Sequence, residues 1–267
     1  AEIIAELLGI SLFLAQIIFY VAAASVVIFG LKAVGISEKY TVAVIFGLIA
    51  ALAVASFIKP VNALPVKPGT LTDGVAYFAM AMLSFAAFFS IPQAVEGLEG
   101  DMKKVRKAVF LGLGNNLILI LVITFCALLS SKEVTEVAMT GWSAGIGMWA
   151  QIIGGIFTAL AMLTTYWSIS LALAGIVEEQ MHWNSKLCWL IATLPSLLIS
   201  LLNIGGFIDF LELAGGAIAI IVAVMVIPTY RNSRNEIPGS TLGVLGSTPF
   251  QILTVIAYLL MAIGSVI

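Results

Sequence analysis

Two stretches of this sequence carry residue types and spacings that could do chemistry, and both sit in apolar surroundings. The first is Ser84-Phe85-Ala86-Ala87-Phe88-Phe89-Ser90-Ile91-Pro92-Gln93. Proline lacks a backbone N–H and its ring clashes with the preceding helical turn. Pro92 therefore frees carbonyls near Phe88 and Phe89 that a ligand could use as acceptors. The plain alternative is a kinked but continuous helix, because membrane helices tolerate proline, and the stretch taken alone favours that alternative. The second is Thr164-Thr165-Tyr166-Trp167-Ser168-Ile169-Ser170. At helical spacing Thr164, Thr165 and Ser168 share one face. Hydroxyl oxygens there suit Na+ or a polar substrate. Their plain role is to bond neighbouring helices or their own backbone, and taken alone the stretch favours that role.

Other chemistries lack their residues. No Asp, Glu, Lys or Arg lies near the middle of an apolar segment, where a proton pump or voltage sensor would normally carry one. A coupling ion must then be held by neutral oxygens, by an edge carboxylate such as Glu96, which reads as a helix-end charge, or by groups outside this sequence. The one histidine, His182, has no second histidine to share a metal, and Cys126 and Cys188 lie in different segments without metal spacing. No metal site and no cofactor are expected. HExxH, paired intramembrane carboxylates and a serine–histidine set are all missing, so the chain does not read as an enzyme. No basic stripe suits nucleic acid.

The elements that position these residues follow from composition. Of 267 residues, 61% are hydrophobic and 10% charged. A soluble domain is typically about a quarter charged, so the chain reads as an all-α integral membrane protein with the lipid bilayer as its surroundings. Spans of the roughly 20 apolar residues that a bilayer needs are expected near 10–35, 40–58, 75–97, 107–130, 147–177, 186–203, 208–230 and 248–267, about eight in all. Polar breaks fall at Ser37-Glu38-Lys39, from Lys59 to Gly69, at Glu99-Gly100-Asp101, from Ser130 to Glu136, at Glu178-Glu179-Gln180 and from Arg231 to Gly246. Gly154-Gly155 and Gly215-Gly216 read as points of close helix packing. Lys103, Lys104, Arg106 and Lys107 form the densest basic cluster, which places the loop 98–107 in the cytoplasm. Lys186, Arg231 and Arg234 then share its side, whereas Lys132, Asp209 and Glu212 lie opposite. Lys59 and Lys67 fall outside against the rule.

Taken together and in order, several motifs resemble those of amino-acid permeases. Phe88-Phe89-Ser90-Ile91-Pro92-Gln93, then Glu99-Gly100-Asp101 and Lys103 through Val109, resemble the family's sixth helix and the loop after it. Leu163-Thr164-Thr165-Tyr166 with Ser170-Leu171-Ala172-Leu173 is similar to the eighth helix of the aromatic amino-acid permease branch. Leu194-Pro195, Gly206-Phe207-Ile208 and Ala214-Gly215-Gly216 resemble its ninth and tenth helices. The resemblance covers roughly residues 72–235. It implies membership of the amino acid/polyamine/organocation superfamily, with the leucine-transporter-like fold of two inverted five-helix repeats around a midplane site.

From this resemblance follow the functional expectations. The chain would move an amino acid, an aromatic one if it follows that branch, across the cell (inner or plasma) membrane by alternating access coupled to H+ or Na+. Ser84, Phe85, Phe88, Phe89 and Ser90 would contact the substrate at a broken helix near 84–92, and Thr164, Thr165 and Ser168 would lie near a coupling ion. The second repeat would be complete over 71–235, with a remnant of the first over 1–70 and an additional C-terminal helix over 236–267. Ala5-Glu6-Leu7-Leu8-Gly9 resembles the segment before the family's third helix, and the family's glycine-rich first helix has no counterpart. A partner membrane subunit, or further chain, would then complete the site. The rival reading is a non-transporting scaffold or accessory subunit that retains part of a permease fold.

Overall fold

A chain in hydrocarbon must pair its own backbone groups, and a lone helix does so within one segment. In the computed structural model, which describes residues 2–58, 68–135, 137–236 and 243–267, every regular element is helical. The helices are α1 (Glu2–Leu8), α2 (Leu12–Val27), α3 (Gly30–Ile58), α4 (Leu71–Ser84), α5 (Ile91–Gly97), α6 (Met102–Ser130), α7 (Ala138–Ile146), α8 (Met148–Met181), α9 (Ser185–Leu201), α10 (Phe207–Glu236) and α11 (Thr248–Gly264). Single 3-10 turns occupy Phe88–Ser90 and Gly243–Gly246. Large apolar side chains such as Phe13, Leu121, Phe125 and Ile221 are exposed, as suits contact with lipid.

Five segments are long and apolar enough to cross a bilayer: Gly30–Ile58, Leu71–Gly97 taken through its break, Met102–Ser130, Met148–Met181 and Ile208–Ser233. The fold is therefore that of an all-α membrane protein. The other three expected spans correspond to α2, α9 and α11, with 16, 17 and 17 residues. At 1.5 Å per residue these reach about 24–26 Å, short of the ~30 Å hydrocarbon core.

Three boundaries differ from expectation. Ser37-Glu38-Lys39 does not interrupt a helix; α3 runs straight through it. Glu and Lys are good helix formers, so these charges mark a change of polarity, not a stop. The actual break is at Ile28-Phe29, where Gly30 takes φ +77°. Residues with a Cβ rarely adopt that conformation, and glycine adopts it freely. The second difference is α7, a nine-residue helix lodged before α8 between the expected polar break and the expected span, where no element was assigned. Third, the basic cluster forms the first two turns of α6, and the connecting turn is only Leu98–Asp101. Lys59–Lys67, Glu136 and residues 237–242, on which parts of the remaining expected breaks fall, lie outside the described residues.

The chain forms two compact units: α1–α3 with the segment 87–204, and α4 with the segment from 205 onward. In the first, α3, α6, α7 and α8 enclose Ile49, Leu52, Cys126, Met139, Trp142 and Ala150. Trp142 is fully buried, and its indole N–H donates to Ser56 Oγ at 2.6 Å, while Ser56 Oγ donates to the Leu52 carbonyl at 2.9 Å. Gly154 of α8 admits the Ser143 side chain of α7. In the second unit α4, α10 and α11 pack around Ala79, Ala219 and Met261, and Gly216 admits the Ser265 hydroxyl. Both glycine pairs thus contribute a close helix contact, as expected.

Asp101 caps α6: its Oδ1 accepts the Lys103 and Lys104 amides at 3.0 and 3.2 Å, and Lys104 Nζ lies 3.3 Å from Oδ2. These bonds, that from the Lys104 amide foremost, hold its carboxyl below the ordinary range. Because the folded value is the lower one, the cap's contribution is present above the ordinary aspartate pKa and is lost as pH falls through the depressed value. Hydrogen exchange should show Lys103 and Lys104 amide protection falling over that window, with no such pH dependence in Asp101→Asn. Trp142→Phe should cost about 1 kcal/mol, since Ser56 keeps its bond to Leu52. Trp142→Ala should cost about 3–5 kcal/mol through the cavity it leaves, both read from reversible unfolding in mixed micelles.

Candidate functional site

The helix that begins with α4 does not continue through the proline stretch. It ends at Ser84, whose hydroxyl turns back to the Met80 carbonyl at 2.9 Å. The Phe85 and Ala86 amides then bond the Met82 and Leu83 carbonyls at 3.2 and 3.0 Å. Ala87 accepts from the Ser90 amide at 3.1 Å, forming the turn Phe88–Ser90. Pro92 is in the first turn of α5, where its missing N–H is not needed. It starts a helix instead of kinking one, so the kinked but continuous reading does not hold. The Phe88 carbonyl is not left open either, because it accepts from the Ile91 amide.

This turn is tied to the hydroxyl-rich stretch. Ser90 Oγ lies 3.1 Å from Ser168 Oγ, and Gln93 Nε2 donates to the Ser168 carbonyl at 2.9 Å. Ser168 stands beyond the midpoint of the 34-residue α8. The two stretches singled out in the sequence thus meet at one residue. Thr164 and Thr165 lie one turn earlier on the same helix. Their hydroxyls both donate to the Ala161 carbonyl, at 2.9 and 3.0 Å, which is the local backbone role weighed for them. Their oxygens keep lone pairs for a further donor or a cation.

The remaining candidates divide. The Phe88 and Phe89 rings lie with centroids 4.2 Å apart and planes tilted by 38°, and both stay exposed, at 37% and 41%. Ser84 and Phe85 belong to the unit of α4, whereas Phe88, Phe89 and Ser90 belong to the unit of α8. Phe89 and Gln93 also line a groove of about 440 Å³ with Glu96, Leu171 and Trp189.

A polar network beside these residues went unread in the sequence. Tyr20 OH lies 3.3 Å from Thr193 Oγ1, Tyr166 OH donates to the Thr193 carbonyl at 3.4 Å, and Ser196 Oγ donates to Tyr166 OH at 3.4 Å. Gln16 Nε2 donates to the Ser200 carbonyl at 2.8 Å and Trp189 Nε1 to the Ala24 carbonyl at 2.9 Å. Together these bonds fasten α2, α8 and α9. The available signal was Gln16, a primary amide in an otherwise apolar run, which needs a partner in hydrocarbon.

The class that this fold defines is a membrane-embedded bundle of α-helices, with an interrupted segment anchored to a neighbouring helix through neutral polar groups. No family model, curated protein or solved structure matches the chain. Among the described residues no group of His, Cys, Asp and Glu is arranged to hold a metal ion.

The Ser90–Ser168 bond is open to measurement. Hydrogen bonds between membrane helices average about 0.6 kcal/mol by double-mutant cycle, with a maximum near 1.7. A cycle of Ser90→Ala and Ser168→Ala should return a coupling energy within about that range. Strict additivity would remove this contact from the site.

Proposed function

We propose that the protein is a secondary active transporter of the amino-acid permease kind, moving an amino acid, aromatic in the leading case, by alternating access coupled to H+ or Na+. The reading takes the leucine-transporter-like inverted-repeat fold implied by the resemblance and a multi-pass place in the cell membrane with the 98–107 segment cytoplasmic. The observation that carries it is the non-α turn at Phe88–Ser90, bonded through Ser90 and Gln93 to Ser168 of α8. An amino acid brings an ammonium that needs acceptors and a carboxylate that needs donors. Serine hydroxyls serve either need, and a helix break supplies backbone groups outside the regular ladder. The exposed faces of Phe88 and Phe89 suit an apolar or aromatic side chain. Thr164, Thr165 and Ser168 offer neutral oxygens to a coupling ion, which a span without a central carboxylate requires.

Uptake into proteoliposomes tests the reading. Labelled tryptophan or tyrosine should accumulate under an imposed H+ or Na+ gradient. Ser168→Ala should lower uptake roughly tenfold or more, the worth of one hydrogen bond to a charged group. Failure of the intact protein with every amino acid under both gradients overturns it. A partner co-purifying in fixed stoichiometry would then establish the accessory-subunit reading.

A further inference from the structure

Helix α6 carries a polar side chain where lipid offers it nothing. Asn115 is exposed well inside this 29-residue span, and its side chain has no hydrogen bond among the described residues. It stands eight residues past Lys107, about 12 Å along the axis, and fifteen before Ser130, about 22 Å. Lysine and arginine reach the interface from such depths on long stems; asparagine is too short. Thr165 and Ser196 are likewise exposed in apolar helices, but each returns its hydroxyl to a backbone carbonyl three or four residues back. The Asn115 amide is left without this outlet, and an unpaired amide in hydrocarbon is costly. The surface around it is free over about three turns. Ala108, Leu111, Asn115 and Ile118 form one stripe at spacings of three, four and three, and all four are exposed. Over the same turns α6 packs through its other side, where Val105 is buried and Val109 and Leu113 are half-buried. Gly112 and Gly114 flank Asn115, and a Cβ on either would meet nothing within 4 Å, so a neighbouring backbone can come close. Beyond Ile118 the packed side turns, through Val122 and Cys126, into the core of the first unit.

The chemistry of this stripe suits one occupant. Copies of one membrane protein insert the same way up, so a twofold pair forms about the bilayer normal. Like residues then face each other at the same depth, and a group on that axis must complement itself. A primary amide does so: it has two N–H donors and a carbonyl with two lone pairs, and two asparagines can exchange bonds. A single asparagine between paired helices fixes register in this way. A lone Lys, Glu or Asp on the axis would instead meet its own charge. We propose that the chain pairs with a second copy of itself through this stripe of α6, the Asn115 amides bonding across the axis. The basic start of α6 does not oppose the pairing. Lys104 is already ion-paired with Asp101, and Lys107 is exposed at the end of the span, where its long stem can turn to water. The pairing depends neither on transport nor on the permease resemblance.

Counting photobleaching steps of the full chain in liposomes, with one fluorophore per copy and the protein-to-lipid ratio varied, tests the proposal. Two-step spots should dominate at high density and give way to single-step spots on dilution. Asn115→Leu should move that midpoint to higher density by about fivefold to thirtyfold, the worth of a polar contact between membrane helices in model peptides. Asn115→Gln keeps the amide and should recover part of the loss. Gly114→Leu places its side chain in space that is open in the single copy and should also weaken pairing, with helical circular dichroism unchanged. Oxidative cross-linking gives a second readout. Asn115→Cys should join two copies, whereas Leu117→Cys, exposed on α6 but off the stripe, should not. The unaltered chain, whose Cys126 and Cys188 are buried, is the blank. Single-step spots at every density would overturn the proposal and leave the amide to a different polypeptide or a lipid headgroup. Pairing indifferent to Asn115→Leu, or cross-linking through Leu117→Cys in preference to Asn115→Cys, would overturn it equally.

Discussion

Hydrocarbon offers a polypeptide no hydrogen bonds, and most of this structure is the answer to that constraint. It accounts for the uniformly helical backbone, and it makes each departure from helix informative. At the end of α4 the amides of Phe85 and Ala86 change to carbonyls three residues back, and Ser90 and Ile91 repeat the pattern around the next turn. A tighter bond pattern replaces the α-helical one. The chain thereby leaves the α-helical pattern without abandoning these donors.

The tie between that interruption and α8 uses only neutral groups. A buried charge would carry a desolvation cost that no partner here is placed to offset. Two hydroxyls and one primary amide give modest, directional bonds instead. Interactions of this strength can be exchanged for bonds to a ligand at small net cost, which a fixed ion pair would not allow. The same economy holds around Tyr166 and Thr193, where α2, α8 and α9 meet through neutral groups.

Much of this was legible in the sequence. Composition and run length gave the helical membrane class and the approximate positions of eight apolar helices, because burial in lipid acts on whole segments. Finer features depended on single residues. Ser37-Glu38-Lys39 looked like a break since charge is easy to see, yet Gly30 made the real one through its backbone conformation. Pro92 marked the right stretch for the wrong reason, as it opens α5 instead of bending a longer helix. The meeting of Ser90 with Ser168 spans 78 positions, and no local pattern encodes it. Helix α7 was missed because nine residues are too few for a span signal, and its burial depends on Trp142 finding Ser56, 86 positions away.

Sequence distance also has a meaning in time. Ribosomes add about 5–20 residues per second. Gln16 emerges 184 residues before the Ser200 carbonyl that its amide bonds in the finished protein, an interval of roughly 9–37 s. Until then α2 cannot dock on α9, and a primary amide in an apolar helix must find water, a lipid headgroup or another helix. The polar contacts that join α2 to the end of α9 can therefore form only late in the synthesis of this unit, and until then its early helices rely on the insertion machinery.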